Sequence, residues 1–342
     1  MKILIDVAHP AQLNFYLNAI RILGKKHTVL VTYLKRGKLP HIVKKEVPES
    51  QNVKTLEVGS HKGNKLSIIF HANLFRIFKM FWITLKFMPD IEFSNGYVAG
   101  VGPRILSIPS CHFQDDPEIG KKRMRLMMTF ADKIYVPFYT ESKKIKRLES
   151  LKEWAYLSPK YFNPNPKILA DLNLDEKEYI FIREVITTTF NYQGQEEAII
   201  ESIAGDFPKD YKIILSLEDK SRAKFFPSHW HILEEPVKDI HSIIYYSCAV
   251  ISSGDSMARE GAQLGVPSYY CGKRMMHANN ILIKEGMLFH INKDEVVSSV
   301  KKITNGEKKY QQNEFRHSLF KKWDDINEII INEVENIKIK NL

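Results

Sequence analysis

The residues with the clearest chemical meaning lie between positions 249 and 267, in the stretch AVISSGDSMAREGAQLGVP. The pattern predicts an apolar strand, then a turn of small and hydroxyl residues, then a helix from about Met257 to Leu264. Small residues let a phosphate approach the backbone, and the amide groups at the amino end of a helix attract anions. We therefore expect this turn to bind a diphosphate through Ser253, Gly254, Asp255, Ser256 and Met257.

Glu260 follows Ser256 by four residues, so both should lie on one face of the predicted helix. A carboxylate at this place can accept hydrogen bonds from both hydroxyls of a ribose. Upstream, a loop at residues 236–240 would lie beside the base, where the backbone near Val237 could contact its edge. A turn of serine and glycine also opens many helices merely as a cap, and that alternative stays open.

Two further polar residues end neighbouring predicted strands of the same half of the chain. Arg183 ends the first of these strands, and Ser216 lies near the end of the second. A guanidinium at a strand end can neutralise the charge that grows on a departing diphosphate, which would replace a metal. The alternative is that Arg183 only pairs with a structural carboxylate such as Glu184 or Glu218.

The first half of the chain offers candidates for moving a proton. His9 directly follows the first predicted strand, and an imidazole there could take a proton from an attacking hydroxyl at neutral pH or orient that hydroxyl. The loop CHFQDDPE supplies Asp115, Asp116 and Glu118, each a candidate base. Paired aspartates are also typical of metal sites, and acidic loops often only cap helices. No DxD-like motif lies in the second half, so we predict no metal.

Alternating strands and helices must position these residues. Apolar runs separated by helical stretches predict two mostly parallel sheets, each covered by helices on both faces, and hence an α/β fold. Open α/β sheets bind ligands at the carboxyl ends of their strands. The predicted strands are residues 2–7, 27–33, 56–58, 91–94, 105–109 and 133–136 in the first series, and 179–183, 212–217, 231–233, 249–252 and 268–270 in the second.

The length of 342 residues predicts two domains rather than one. The proline-rich stretch SPKYFNPNPK, residues 158–167, is the predicted linker because proline interrupts helices and central strands. The expected domains are residues 1–160 and 170–312. Residues 313–342 should form an amphipathic helix, with an apolar stripe between Phe315 and Ile337, that packs back on the first domain.

Composition limits the classes of partner. Lys and Arg exceed Asp and Glu by ten, which favours anionic partners, but no nucleic-acid-binding module is recognisable. Cys111, Cys248 and Cys271 lack the spacing of a disulfide framework or a zinc site. No signal peptide or spanning segment is apparent, so we expect a cytoplasmic protein.

Residues 62–89 are rich in aromatic residues with interspersed cations. A helix of this kind can lie in a bilayer interface while its cations meet anionic head groups. The alternative is a buried helix that covers the first sheet, because aromatic stripes usually belong to a core.

Five motifs along the chain resemble one family. They are DVAHPAQLNFY, FQDDPE at 113–118, KEWAYLSPKYFNPNPKIL at 152–169, IRE at 182–184 and SSGDSMAREGAQLG. Together they are similar to the family known as domain of unknown function 354, often described as candidate glycosyltransferases. The last motif also resembles the nucleotide-sugar half of the GT-B fold, shared by the N-acetylglucosaminyltransferase that makes lipid II and the non-hydrolysing UDP-N-acetylglucosamine 2-epimerases. The resemblance implies a GT-B fold: two Rossmann-like domains facing a central cleft.

The resemblance also implies positions for individual residues. His9 would lie where the first domain meets the acceptor and the reacting sugar. Lys273, His277, Asn279 and Asn280 would follow the strand whose loop touches donor-sugar hydroxyls, although an ordinary polar loop remains the alternative. The family usually has a second glycine where this chain has Asp255, and a carboxylate there would repel a diphosphate unless it points away, binds a sugar hydroxyl or marks an altered donor.

The predicted function is metal-independent transfer of a sugar from a UDP-linked donor to a hydroxyl acceptor on a glycan or lipid, in surface polysaccharide or glycoconjugate synthesis. The residues expected to carry the chemistry are His9, Asp116, Glu118 and Arg183. The main alternative is a UDP-N-acetylglucosamine 2-epimerase, although such epimerases usually carry an arginine and a glutamate where this chain has HPAQ. A third possibility is a non-catalytic protein that binds nucleotide sugars.

Overall fold

The computed structural model describes residues 1–60, 74–115, 121–186, 196–234, 237, 239–306 and 310–340, without the side chains of residues 121–123 and 338–340. The chain divides into two compact units, and each is an α/β domain with one parallel sheet. The first unit comprises Met1–Tyr156 and Lys322–Leu342, and the second comprises Leu157–Lys321.

The described residues contain the following strands and helices. The strands are β1 Lys2–Val7, β2 Thr28–Lys35, β3 Val53–Ser60, β4 Ile91–Ser94, β5 Ser110–Phe113, β6 Lys133–Pro137, β7 Ile145–Leu148, β8 Tyr179–Glu184, β9 Lys212–Leu217, β10 His231–Ile232, β11 Ala249–Ser252, β12 Ser268–Tyr270 and β13 Leu288–His290. The helices are α1 Pro10–Leu23, α2 Leu39–Glu46, α3 Phe75–Phe87, α4 Tyr97–Ile105, α5 Lys121–Phe130, α6 Trp154–Leu157, α7 Lys167–Asp171, α8 Ile199–Ile203, α9 Ile240–Tyr246, α10 Asp255–Gln263, α11 His277–Lys284, α12 Lys293–Thr304, α13 Gln312–Lys322 and α14 Ile326–Lys340.

The first unit contains a seven-stranded sheet in the order β3-β2-β1-β4-β5-β6-β7. Its strand pairs are parallel, and the interior strand β1 is buried from Ile3 to Val7 because helices cover both faces of such a sheet. The strand order reverses between β1 and β4. Open α/β sheets bind ligands at such a switch point, and His9 follows β1 there.

The second unit contains a six-stranded parallel sheet in the order β10-β9-β8-β11-β12-β13, which is the Rossmann order. Here the switch point lies between β8 and β11. Arg183 pairs in register with Ser216 of β9 on one side and with Ser252 of β11 on the other. The carboxyl ends of β8, β9 and β11 therefore bring together three predicted parts of the site: Arg183, Ser216 and the turn that contains Ser253.

Helix α14 belongs to the first unit and packs against it through buried polar contacts. The amide of Asn327 donates to the carbonyl of Ala155 at 2.8 Å. The carboxylate of Glu333 accepts hydrogen bonds from Lys133 at 2.7 Å and from the hydroxyl of Tyr135 at 2.6 Å.

The prediction of one continuous C-terminal helix is wrong, because the chain forms α13 and α14 with a break at residues 323–325. Asp325 accepts hydrogen bonds from the amides of Asn327 and Glu328 and so caps α14. Asp324 exchanges hydrogen bonds with the backbone of Glu149, which holds the break against the first unit. Of the predicted apolar stripe, Ile337 is half-buried and the other members are buried: Leu319, Trp323, Ile326, Ile330 and Val334.

The predicted strand at residues 105–109 is also wrong. Ile105 is the last residue of α4, and the strand β5 begins at Ser110. Ser107 adopts a left-handed conformation, which turns the chain between the two elements. The apolar residues of this stretch end a helix, and the strands β7 and β13 lie outside the predicted set.

None of the helices in the described residues combines the length and apolar character that crossing a bilayer requires. Of the three cysteines, Cys111 and Cys271 are buried, Cys248 is half-buried, and all three are free thiols.

Candidate functional site

The turn between β11 and α10 opens with Ser252. Its hydroxyl donates to the carbonyl of Gly254 at 2.6 Å and accepts from the amide of Gly254 at 3.1 Å, which fixes the shape of the turn. Helix α10 begins at Asp255, two residues earlier than predicted, and Gly254 is its N-cap. Glycine has no side chain with which to cap the amide groups of the first turn. This end of the helix therefore suits an anion supplied from outside.

Asp255 points into the protein and away from the turn. Its buried carboxylate lies 2.8 Å from the guanidinium of Arg259, one helical turn later, and 3.8 Å from that of Arg274. The same nitrogen of Arg259 donates to the side-chain oxygen of Asn279 at 3.1 Å. The sequence predicted Asp255 and Asn279 as separate ligand contacts, but both belong to one buried network around Arg259. Any contact of Asp255 with a diphosphate would therefore come from its backbone.

Arg259 belongs to this network but is not among the residues that the sequence predicted for the site. It is the largest fully buried side chain in the described residues, with 1% of its surface exposed. The signal was present in the sequence, because Asp255 and Arg259 stand four residues apart and so share a helical face. Their pairing supplies a positive charge that offsets the carboxylate at the first turn of α10.

Ser253 and Ser256 take different positions. Ser253 is buried, and its hydroxyl accepts a hydrogen bond from the amide of Val185 at 3.0 Å. Its backbone amide donates to the carbonyl of Arg183 at 3.0 Å. Ser253 therefore ties the turn to the end of β8, whereas Ser256 is exposed and Met257 is half-buried.

Arg183 lies beside the turn with its guanidinium toward β9. One of its nitrogens donates to the hydroxyl of Ser216 at 2.8 Å, and another lies 3.8 Å from the carboxylate of Glu218. The side chain of Arg183 retains 16% exposure. Of Glu184 and Glu218, the two predicted structural partners of Arg183, only Glu218 has its carboxylate beside this guanidinium.

Glu184 has another role. Its carboxylate accepts hydrogen bonds from the amides of Ile200 at 2.7 Å and Glu201 at 3.1 Å, at the start of α8. Burial raises the pKa of Glu184, against the opposing effect of its hydrogen bonds with Ser253 and these amides.

Glu260 lies in the second turn of α10 with its side chain 14% exposed. One carboxylate oxygen is 3.5 Å from Nε2 of His241, on α9. A carboxylate in this position keeps an accessible surface while an imidazole restrains it. Val237 is half-buried, and residues 235, 236 and 238 around it lie outside the described residues.

His9 is the N-cap of α1. Its Nδ1 accepts a hydrogen bond from the amide of Ala11 at 3.2 Å. Partial desolvation, followed by the positive charges of Arg36 and Lys152, lowers the pKa of His9 to about 4, although the ring keeps exposed surface. A neutral ring whose Nδ1 accepts must carry its proton on Nε2. In this arrangement His9 can donate a hydrogen bond to a substrate, but it cannot act as a base through Nε2.

The acidic loop after β5 is described only at its start. Asp115 lies 2.6 Å from the ammonium of Lys152, while Asp116 and Glu118 fall outside the described residues. Among the residues that the structure describes, no group of three or more His, Cys, Asp or Glu side chains is arranged to hold a metal ion.

A family model covers nearly the whole chain. Residues 1–338 match the family described as "Protein of unknown function (DUF354)". The chain belongs to this family.

Two curated proteins show sequence similarity. An uncharacterised protein of Methanocaldococcus jannaschii is 24% identical over 313 residues, covering 85% of this chain and 88% of that protein. The UDP-N-acetylglucosamine–N-acetylmuramyl-(pentapeptide) pyrophosphoryl-undecaprenol N-acetylglucosamine transferase of Borrelia turicatae is 31% identical over 117 residues, which is 32% of each chain.

Solved structures share the fold over the full length. The UDP-GlcNAc 2-epimerase of Methanocaldococcus jannaschii, solved with UDP-GlcNAc and UDP, has a TM-score of 0.66 at 14% identity and covers 98% of this chain and 100% of its own. The spinosyn forosaminyltransferase has a TM-score of 0.69 at 11% identity and covers 99% of both chains. The fold of two Rossmann-like domains is therefore GT-B, as the sequence motifs predicted.

Proposed function

We propose that this protein is a glycosyltransferase that moves a sugar from a UDP-linked donor to a hydroxyl acceptor without a metal ion. The observation that carries the proposal is the place of Arg183. Arg183 ends β8 at the β8–β11 switch point, where its backbone carbonyl accepts a hydrogen bond from the amide of Ser253 in the turn that opens α10, while its guanidinium contacts Ser216 of β9. A cation and a helix amino end beside each other suit a diphosphate better than either does alone.

On the donor side, the amide groups at the start of α10 and the exposed hydroxyl of Ser256 would hold the two phosphates. Arg183 would neutralise the negative charge that grows on the leaving diphosphate as the bond to the anomeric carbon breaks. Glu260 would accept hydrogen bonds from the ribose hydroxyls, and the backbone at Val237 would contact the base. Solved relatives of this fold that bind UDP-GlcNAc and UDP support the choice of donor.

On the acceptor side, the acceptor hydroxyl attacks the anomeric carbon and must lose its proton to a base. Asp116 or Glu118 would take that proton, since Nδ1 of His9 is engaged by the amide of Ala11. His9 would instead orient the acceptor by donating from Nε2. Of the two roles that the sequence allows for His9, we thus propose orientation of the acceptor, and we assign the proton transfer to the acidic loop.

The acceptor is proposed to be a glycan or a lipid-linked sugar, at the inner face of the membrane, in surface polysaccharide or glycoconjugate synthesis. The similarity to the Borrelia turicatae transferase, whose name includes a pyrophosphoryl-undecaprenol substrate, supports a lipid-linked acceptor.

A 2-epimerase is the second candidate, favoured by the likeness of the whole chain to UDP-GlcNAc 2-epimerases. The sequence HPAQ at residues 9–12 disfavours epimerase activity, because epimerases of this type usually have an arginine and a glutamate there. A non-catalytic protein that binds nucleotide sugars is the third candidate.

Binding of UDP, measured by titration calorimetry, tests the donor site. Arg183→Gln removes charge-assisted hydrogen bonds worth about 1.5–3 kcal/mol, so the Kd should rise roughly 10- to 150-fold. Arg147→Gln is the matched control, because Arg147 is an exposed arginine of the first unit paired with Glu149. Equal affinity of the Arg183→Gln variant and the wild type would contradict the donor site.

Incubation with UDP-GlcNAc separates the three functions. Transfer to an acceptor supports the leading proposal, and formation of an epimer without an acceptor supports the second. Tight binding with no turnover over a broad panel of acceptors supports the third.

A further inference from the structure

Helix α3 exposes three of its aromatic residues, Phe75, Phe78 and Trp82. The residues that it buries are Arg76, Met80 and Thr84, spaced four apart along one face. On the opposite face Phe78 is 60% exposed and Trp82 is 59% exposed. Met80, Ile77 and Ile83 pack on the core of the first unit, so α3 has apolar residues on both sides, whereas a surface helix usually keeps its apolar stripe toward the core.

Contacts within the first unit hold the helix in this rotation. The buried guanidinium of Arg76 lies 2.6 Å from the carboxylate of Asp6 and donates to the carbonyl of Val58 at 3.0 Å. Thr84 faces Gly102 of α4, where an added Cβ atom would come within 2.9 Å of the threonine hydroxyl. Turning the aromatic face inward would break a buried ion pair and place large rings where only glycine and threonine fit.

The apolar side chains form one patch with cations among them. We call it the α3 face, and its exposed members are Leu74, Phe75, Phe78, Lys79, Trp82, Leu85, Lys86 and Met88. Lys79 lies over the ring of Phe75, 4.7 Å from its centre. Between residues 62 and 89 the sequence contains no Asp or Glu. The patch is therefore largely apolar, and its charged members, Lys79 and Lys86, are both cations.

We propose that the α3 face docks on the surface of a bilayer that contains anionic lipids. Phe78 and Trp82 would enter the boundary between head groups and acyl chains, while Lys79 and Lys86 would meet the anionic head groups. The helix has 13 residues, fewer than the ~20 needed to span a bilayer, so it lies in the plane of the interface.

A second copy of this chain suits the α3 face less well. In a symmetric dimer the same surface meets itself, so Lys79 and Lys86 of both copies would approach each other. The segment has no carboxylate to pair with them. Phosphate groups of lipids supply the missing negative charge, and docking of the α3 face on a bilayer does not require the proposed transferase activity.

Trp82 provides a native reporter for the test. The other three tryptophans, Trp154, Trp230 and Trp323, are 2%, 4% and 7% exposed. On addition of vesicles of phosphatidylcholine with 30% phosphatidylglycerol, we expect the tryptophan emission to shift to shorter wavelength and become protected from iodide. Vesicles of phosphatidylcholine alone should produce a much weaker effect.

Vesicle co-sedimentation of variants separates charge from apolar contact. Lys79→Gln with Lys86→Gln should lower the partition coefficient roughly 25-fold, since each lysine near the surface contributes a factor of about five. Lys25→Gln with Lys26→Gln changes the same charge at exposed positions in the turn that follows α1, outside the α3 face, and should have little effect. Phe78→Ser should weaken binding strongly, whereas Phe225→Ser, at a residue 53% exposed in the second unit, should not.

Circular dichroism checks that each variant remains folded. Equal binding of the α3-face variants and their controls would overturn the proposal. So would an unchanged Trp82 emission with anionic vesicles, or a dimer in sedimentation velocity that the Phe78→Ser variant dissolves.

Discussion

Replacing Asp255 with asparagine tests the buried network behind the candidate diphosphate site. The substitution keeps the size of the side chain but removes the carboxylate that lies 2.8 Å from the Arg259 guanidinium. Removing one partner of a buried ion pair costs about 3–5 kcal/mol, because the remaining charge stays in a poorly solvated place. The Asn279 oxygen still accepts from Arg259 at 3.1 Å, so we expect the lower end, about 3 kcal/mol.

Urea denaturation followed by fluorescence measures this loss as a change in the free energy of unfolding. In a thermal scan the same loss corresponds to a melting temperature roughly 6–12 °C lower, at about 2–4 °C per kcal/mol for a domain of this size. Asp210→Asn is the control, since Asp210 is exposed in the same unit.

A double-mutant cycle with Arg259→Met isolates the pair. The variant that carries both changes should recover most of the stability lost by Asp255→Asn, because it no longer buries an uncompensated cation. A loss below about 1 kcal/mol for Asp255→Asn, or strict additivity of the two single changes, would show that the pair does not stabilise this domain.

Two further predictions concern packing and titration. Gly261→Ala should cost about 1–3 kcal/mol in urea denaturation, because its Cβ would lie 2.5 Å from the Ser268 hydroxyl and 2.7 Å from a methyl of Val250, whereas Gly205→Ala, with open space around it, should be close to neutral. The pKa of His9 is about 4, below the unfolded value of 6.5, so between these values the unfolded chain binds the extra proton and stability falls as the pH drops below 6.5; NMR titration should show the His9 ring neutral down to about pH 5, and a His9 midpoint near 6.5 would contradict the structure.

The strand, turn and helix at residues 249–263 were predictable because their signals are local. An apolar run, small turn residues and helical spacing lie next to each other in the sequence. The bounds of β11 agree with the prediction, while the start of α10 differs by two residues. That small shift matters, because it brings Asp255 into the first turn of the helix and onto the face of Arg259.

The partners of the site residues were not predictable in the same way. Arg274 and Asn279 reach Asp255 and Arg259 only because β12 and α11 follow α10 in the second unit. The sequence placed His9 after the first strand, but its role depends on one hydrogen bond from Ala11. Hydrogen bonds of single atoms leave no periodic signal in a sequence.

Residues 62–89 show the same division. Their composition determined that a helix here would be aromatic and cationic, and it left open whether the rings face the core or the solvent. In the tertiary structure the rings of Phe78 and Trp82 in α3 face the solvent, because the charge of Arg76 is buried against Asp6 and Thr84 packs against Gly102. Periodicity in the sequence establishes which residues share a face, but the direction of that face depends on residues distant in sequence that pair with it or leave it room.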